Sequence, residues 1–165
     1  MNKLIVGVDG LLKRLLMVLM AAIVLVVCFQ VLSRFVLTTP SSITEEISRC
    51  LLLWIGMFGS AFAYRTGQHL GLDIVTRKFS ALWQNRVAAI LTLAVVLFAL
   101  AAMTFGGGQL VMLAFELKQM NAGLGICIGW IYLALPLSGL LIAFYGICQL
   151  CSLWSEQALP SLGEF

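Results

Sequence analysis

Five cysteines are the side chains of this 165-residue chain whose type and spacing come closest to a reactive site. Cys148 and Cys151 form a C-x-x-C pair, the spacing of thiol redox sites in which a thiolate is stabilised. The pair lies late in an apolar stretch, without the folded context that activates such pairs. Cys28, Cys50 and Cys127 also have apolar neighbours, where cysteine behaves as a small hydrophobic residue. We interpret all five as packing residues and keep a redox subunit using Cys148 and Cys151 as an alternative.

Acid–base and metal chemistry have fewer candidates. His69 is the single histidine, so a haem held between two histidines of this chain is excluded. An ion-coupled exporter needs a carboxylate in the middle of the membrane, whereas Glu45, Glu46 and Glu116 lie near predicted helix ends. The sequence therefore predicts no catalytic residue, no metal site and no cofactor. An independent small exporter remains a further alternative.

The elements that carry these residues are four apolar stretches. Hydrophobic residues make up 62% of the chain and charged residues 10%, with a mean hydropathy of +1.07. Soluble domains have about a quarter charged residues, so a water-soluble core is excluded. A helix needs roughly 20 apolar residues to cross the bilayer core. We predict an all-α integral membrane protein in which residues 1–165 form a single four-helix domain, with spans at 15–37, 45–65, 87–115 and 124–153.

The last two predicted spans are longer than a bilayer requires. Each would exceed about 40 Å as a straight helix. We therefore expect tilted helices that bend at Gly106–Gly108 and at Pro136. The first span continues through residues 26–29 without the small residues of a cleavage site, and we interpret it as an uncleaved anchor.

Basic residues predict the orientation. Lys and Arg favour the side that holds the N-terminus by about seven to three, which predicts that both termini are cytoplasmic. Residues 66–86 then form an inner loop of amphipathic helical character. Its Arg77, Lys78, Trp83 and Arg86 are expected to contact lipid headgroups, and no nucleic acid is expected as a partner.

Charged residues flank the second span. Glu45 and Arg49 are spaced to pair across one helical turn, beside Glu46. Arg65, His69 and Asp73 also step by four residues, and lie on one face if that segment is helical. Either set could also be a solvated helix end.

Small residues within the second span form a second candidate surface. Gly56, Ser60 and Ala63 share one helical face, which allows another helix to approach closely. Gly139, Ala143 and Gly146 form a similar face on the last span. The sequence leaves open whether the neighbours belong to this chain or to a partner.

With these residues the chain resembles the small membrane subunit, DctQ type, of tripartite ATP-independent periplasmic (TRAP) transporters. The resemblance covers nearly the whole chain. It rests on the order of an acidic pair and an arginine, then an aromatic residue and a glycine, then an Arg-x-x-x-His element with a later acid. The matching residues are Glu45, Glu46, Arg49, Trp54, Gly56, Arg65, His69 and Asp73.

The resemblance implies a non-catalytic, multi-pass subunit of the bacterial inner membrane. Such a subunit scaffolds a large, sodium-driven membrane subunit, and a soluble periplasmic protein delivers the substrate. The substrates implied are organic acid anions, of the sialic acid or C4-dicarboxylate type. We expect Glu45, Glu46 and Arg49 to organise the outer rim, against the large subunit or the binding protein.

Overall fold

A computed structural model describes residues 2–36, 42–66 and 81–157 of the chain. Its elements are α1 (Asn2–Phe35), α2 (Ser42–Arg65), α3 (Ala81–Phe98), a π-helix (Ala99–Gly106), α4 (Gly107–Glu116), α5 (Ile128–Tyr132) and α6 (Ala134–Gln157). The apolar helices long enough to cross a membrane are Ile5–Phe35, Ser42–Arg65, Arg86–Glu116 and Ile128–Cys151. The all-α, four-span prediction is confirmed.

Part of the predicted inner loop lies outside the described residues. This part includes His69, Asp73, Arg77 and Lys78, and the side chain of Trp83 is also outside. In the described portion, α3 begins at Ala81, and its apolar span begins at Arg86, next to the predicted start at residue 87.

The first helix is longer than the predicted span of 15–37, since it begins at Asn2. Its apolar stripe continues toward the N-terminus at helical spacing. The stripe consists of Leu19, Leu16, Leu12 and Val8, which pack with the core. Packing of this stripe against the core accounts for helical structure ahead of the predicted span. The other faces of α1 leave large apolar side chains exposed along its whole length.

The third span contains a π-helical segment just before the predicted bend at Gly106–Gly108. A π-helix occupies Ala99–Gly106, and the chain returns to α-helix at Gly107. The Thr104 hydroxyl donates a hydrogen bond to the Ala99 carbonyl oxygen at 3.0 Å. The wide π-helical turns therefore end at Gly106, where the predicted bend begins, and the bend itself stays a prediction.

The fourth span begins at Ile128 rather than near residue 124 and is interrupted at Leu133, between α5 and α6. Pro136 explains the interruption. Proline has no amide hydrogen to donate within a helix, and its ring clashes with the carbonyl group one turn earlier. The segment before α5 turns at Gly125, whose φ of +64° lies in the left-handed region that suits glycine.

Contacts between helices place the spans in the order first, second, fourth, third. The first helix contacts α2, α2 contacts α6, and α6 contacts α3, the π-helix and α4. Within the described residues, α2 makes no backbone contact with the third span. A groove of about 250 Å³ lies between them, lined by Ser60, Tyr64, Val95, Phe98, Ala99, Met103 and Ile142.

The contact between the third and fourth spans depends on glycine at two positions. A Cβ at Gly139 would lie 2.7 Å from the Thr104 hydroxyl oxygen and 2.8 Å from the Met103 Cβ. A Cβ at Gly146 would collide with Val96. These glycines allow α6 to approach the third span closely, as small residues do between membrane helices.

Replacing Gly139 by Leu should therefore destabilise the bundle. Overpacking costs about 1–3 kcal/mol, and we expect a lower midpoint of thermal unfolding for the detergent-solubilised chain. Gly10→Leu is the matched control, because open space surrounds a Cβ at Gly10. An unchanged midpoint for Gly139→Leu would contradict the close approach.

Candidate functional site: the two ends of the second span and its small-residue face

One end of α2 carries the predicted acidic pair and arginine, and we call it the Glu46 end of the bundle. Arg49 Nη2 lies 2.7 Å from Glu45 Oε1, and Arg49 Nη1 lies 3.2 Å from Glu46 Oε1. The side chains of Arg49 and Glu45 are 66% and 55% exposed, whereas Glu46 is 24% exposed. The structure therefore brings all three together but leaves Glu45 and Arg49 more accessible to a partner.

Glu46 is less exposed because it also binds the segment between the third and fourth spans. Asn121 Nδ2 donates a hydrogen bond of 2.9 Å to Glu46 Oε2. A Cβ at Gly123 would lie 2.6 Å from Glu46 Cγ. Glu46 is thus packed against this segment as well as bonded to it.

Asn121 organises the segment that Glu46 contacts. Its Oδ1 accepts hydrogen bonds from the amides of Gly123 and Leu124, at 2.9 and 3.1 Å. The backbone amide of Asn121 donates a hydrogen bond of 2.8 Å to the Ile126 carbonyl oxygen. Asn121 was not among the predicted residues, although asparagine two positions before glycine is typical of such side-chain-bonded turns.

The opposite end of the bundle, which we call the Asp9 end, has a second polar cluster. Arg65 Nε lies 3.2 Å from Asp9 Oδ2, and the Tyr145 hydroxyl donates a hydrogen bond of 2.7 Å to Asp9 Oδ1. The Arg65 guanidinium also lies 5.9 Å from the centre of the Tyr145 ring. One carboxylate therefore joins three helices.

The sequence pattern pointed to Arg65 but not to Asp9 or Tyr145. The spacing grouped Arg65 with His69 and Asp73, which lie outside the described residues, whereas the structure pairs Arg65 with Asp9. The available signal was that Asp9 is the one acidic residue of α1, and an acid at the edge of an apolar helix needs a partner.

The small-residue face of α2 consists of Gly56, Gly59, Ser60 and Ala63. Gly56 is exposed, and apart from the adjacent backbone of α2 no described atom lies within 4 Å of a Cβ placed at Gly56 or Gly59. The Ser60 hydroxyl bonds to the Met57 carbonyl oxygen at 2.8 Å, and Ser60 lines the groove beside the third span. This face is therefore open at Gly56, whereas Gly139 and Gly146 of α6 lie against the third span.

Trp54 is the remaining predicted residue of α2 and packs toward the core. Its ring centre lies 5.5 Å from that of Phe58, which is buried with Ala61. Trp54 is partly buried against this cluster. Its contacts in the structure are therefore internal.

The cysteines are all free thiols. On α6, Cys148 is partly buried and Cys151 is exposed. The described residues contain no group of three or more metal-binding side chains.

Comparison with known proteins identifies the family. Residues 23–156 match the family profile of tripartite ATP-independent periplasmic transporters, DctQ component. The sialic acid TRAP transporter small permease protein SiaQ of Vibrio cholerae is 28% identical over 131 residues, covering 76% of this chain and 71% of that protein.

Two further relatives are also named as TRAP transporter permease proteins. The C4-dicarboxylate TRAP transporter small permease protein DctQ of Rhodobacter capsulatus is 25% identical over 100 residues, covering 61% of this chain and 44% of that protein. The sialic acid TRAP transporter permease protein SiaT of Haemophilus influenzae is 27% identical over 115 residues, covering 70% of this chain but only 18% of SiaT. The chain belongs to the DctQ family of small TRAP transporter components and is a multi-pass protein of the bacterial inner membrane.

Proposed function

We propose that this chain is the non-catalytic small subunit of a sodium-driven TRAP transporter for organic acid anions of the sialic acid or C4-dicarboxylate type. It scaffolds the large membrane subunit and helps dock the periplasmic substrate-binding protein. The family match over residues 23–156 carries the proposal. It favours a transporter subunit over the redox and independent-exporter alternatives.

The similarity to SiaT supports a lasting association with a larger permease. A segment similar to this chain occupies about a fifth of that protein, so the remainder of SiaT is covalently attached to it. We infer that a separate large subunit binds the present chain through a stable interface.

The positions of the acidic residues favour a scaffold function for this chain over an ion-binding function. In the described spans, Asp9, Glu45, Glu46 and Glu116 all lie toward span ends. Three of these carboxylates are in ion pairs within the chain. Carrying an ion through the membrane would require a titratable group at depth.

We also propose that both termini are cytoplasmic, on the basis of the distribution of Lys and Arg. The Glu46 end then faces the periplasm, where the binding protein approaches. Glu45 and Arg49 are its most accessible charges on α2 and are proposed to contact the large subunit or the binding protein. The open face of Gly56 is proposed to receive a helix of the large subunit.

Reconstitution tests the proposed division of work between subunits. Liposomes containing this chain alone should take up no sialic acid or C4-dicarboxylate under a sodium gradient. Liposomes containing both membrane subunits, supplied with the binding protein, should take up one of them. Sodium-dependent uptake by this chain alone would show that it is itself a transporter.

Arg49→Glu should weaken assembly or uptake. Exposed pairs one helical turn apart stabilise a helix by about 0.3–0.5 kcal/mol each, so folding should change little. Loss of a partner contact should instead lower uptake by roughly tenfold, which corresponds to about 1.4 kcal/mol. Co-purification with the large subunit and uptake rates measure the effect.

Lys118→Glu is the control for Arg49→Glu, since it changes the charge equally just beyond α4 without belonging to the α2 cluster. Wild-type uptake and assembly in the Arg49→Glu variant would contradict the proposed role of this rim.

Gly56→Leu should leave the chain folded but prevent it from co-purifying with the large subunit. The leucine has space within the chain, yet it would hold a partner helix away from α2. Gly10→Leu, at an equally open glycine of α1, should assemble normally. Normal assembly of Gly56→Leu would place the partner on another face.

A further inference from the structure

The bundle consists of two helix pairs joined along one line of contact. The first pair is α1 with α2, and the second pair is the third span with the fourth. Backbone contacts between the pairs involve only α2 with α6 and α5 among the described residues. A single line of helix contact leaves the two pairs free to rotate about it unless other groups prevent this.

The packing along this line is mainly apolar. Phe58 and Ala61 of α2 belong to one buried cluster with Ile142 and Ala143 of α6. In a bilayer such packing has little hydrophobic driving force, because lipid chains are as apolar as the side chains themselves. Shape complementarity, together with the buried Tyr64 of α2, whose hydroxyl lies beside Gly146 of α6, therefore has to maintain the angle between the pairs along this stretch.

Polar contacts join the two pairs at both ends of this line. At the Glu46 end, the carboxylate of Glu46 in the first pair accepts a hydrogen bond from Asn121 in the second pair at 2.9 Å. We call this contact the Glu46 link. Because Asn121 is also bonded within its own turn, the link fixes α2 to the whole connection between the third and fourth spans.

At the Asp9 end, the carboxylate of Asp9 in the first pair accepts a hydrogen bond of 2.7 Å from the Tyr145 hydroxyl in the second pair. We call this contact the Asp9 link. Arg65 of the first pair binds the second carboxylate oxygen and lies over the Tyr145 ring. Tyr145 is only 3% exposed, so packing holds its hydroxyl in place.

We propose that the Glu46 and Asp9 links act together to hold the two helix pairs at a fixed angle, and that Asn121 and Tyr145 are positioning residues of the scaffold. Two links at opposite ends of one contact line prevent rotation that either link alone would permit. That a fixed angle is needed for uptake rests on the proposed scaffold function. The angle between the two helix pairs does not depend on that function.

Two substitutions remove one link each. Asn121→Asp keeps the oxygen that accepts the Gly123 and Leu124 amides but places a carboxylate against Glu46. Tyr145→Phe removes only the hydroxyl that Asp9 binds. Adding Glu46→Gln to Asn121→Asp exchanges donor and acceptor, so that the glutamine amide can donate to the new carboxylate and restore the Glu46 link.

Distances between spin labels on the two pairs test the proposal. Cys28 on α1 and Cys151 on α6 are exposed native labelling sites, with Cys50, Cys127 and Cys148 replaced by alanine. The full chain in lipid nanodiscs should give one narrow distance distribution. Each single variant should broaden it, since losing an average membrane hydrogen bond makes open arrangements roughly threefold more populated.

The combined Asn121→Asp and Tyr145→Phe variant should broaden the distribution more than the two separate effects predict. Glu46→Gln should narrow it again in the Asn121→Asp background. Glu116→Gln and Tyr132→Phe are controls for loss of a charge or a hydroxyl elsewhere, and should leave it narrow. If Asn121→Asp prevents folding, Glu46→Ala removes the acceptor of the same link and keeps the Asn121 side chain that bonds the Gly123 and Leu124 amides.

A narrow distribution in the combined variant would overturn the proposal, and so would failure of Glu46→Gln to restore the parent distribution. Uptake by the assembled transporter is measured on the same variants. Broader distances with lower uptake support both the links and the scaffold. Broader distances with normal uptake support the links and contradict the need for a rigid scaffold.

Discussion

Lipid as the surrounding solvent is the constraint on which the rest of this structure depends. Burying a leucine against another helix gains little when the alternative is an equally apolar acyl chain. Helices must then associate through close backbone approach, shape and polar contacts. In this chain, α6 uses Gly139 and Gly146 for close approach to the third span, and the polar contacts stand at the two ends of the bundle.

The same constraint explains why so much apolar surface is exposed. The first helix contacts only α2 along its backbone within the described residues, and its other faces carry large hydrophobic side chains. In water such a surface would drive aggregation, whereas a bilayer or a membrane partner covers it without cost. A row of helices with two broad faces suits a subunit that must bind a larger protein.

Charge placement connects the fold to the proposed role. Carboxylates at the ends of helices can be neutralised by nearby arginines and can reach water, so they stabilise contacts without crossing the membrane. Glu46 and Asp9 are used in this way within the chain. Glu45 and Arg49 remain more exposed than Glu46 at the same end, which separates residues that hold the bundle together from those available to a partner.

The sequence by itself determined the four spans and the family, because apolar length and the order of motif residues are local properties of the chain. It also placed Glu45 and Arg49 within reach of each other, since both lie on one helix. It did not show that Val8 and Leu12 extend the packed stripe of α1 ahead of the predicted span, because that packing involves other helices. Nor could it pair Arg65 with Asp9 rather than with His69. Only the tertiary structure brought Asp9 to Tyr145 and Glu46 to Asn121, because these contacts join residues far apart in the chain and depend on which spans are neighbours.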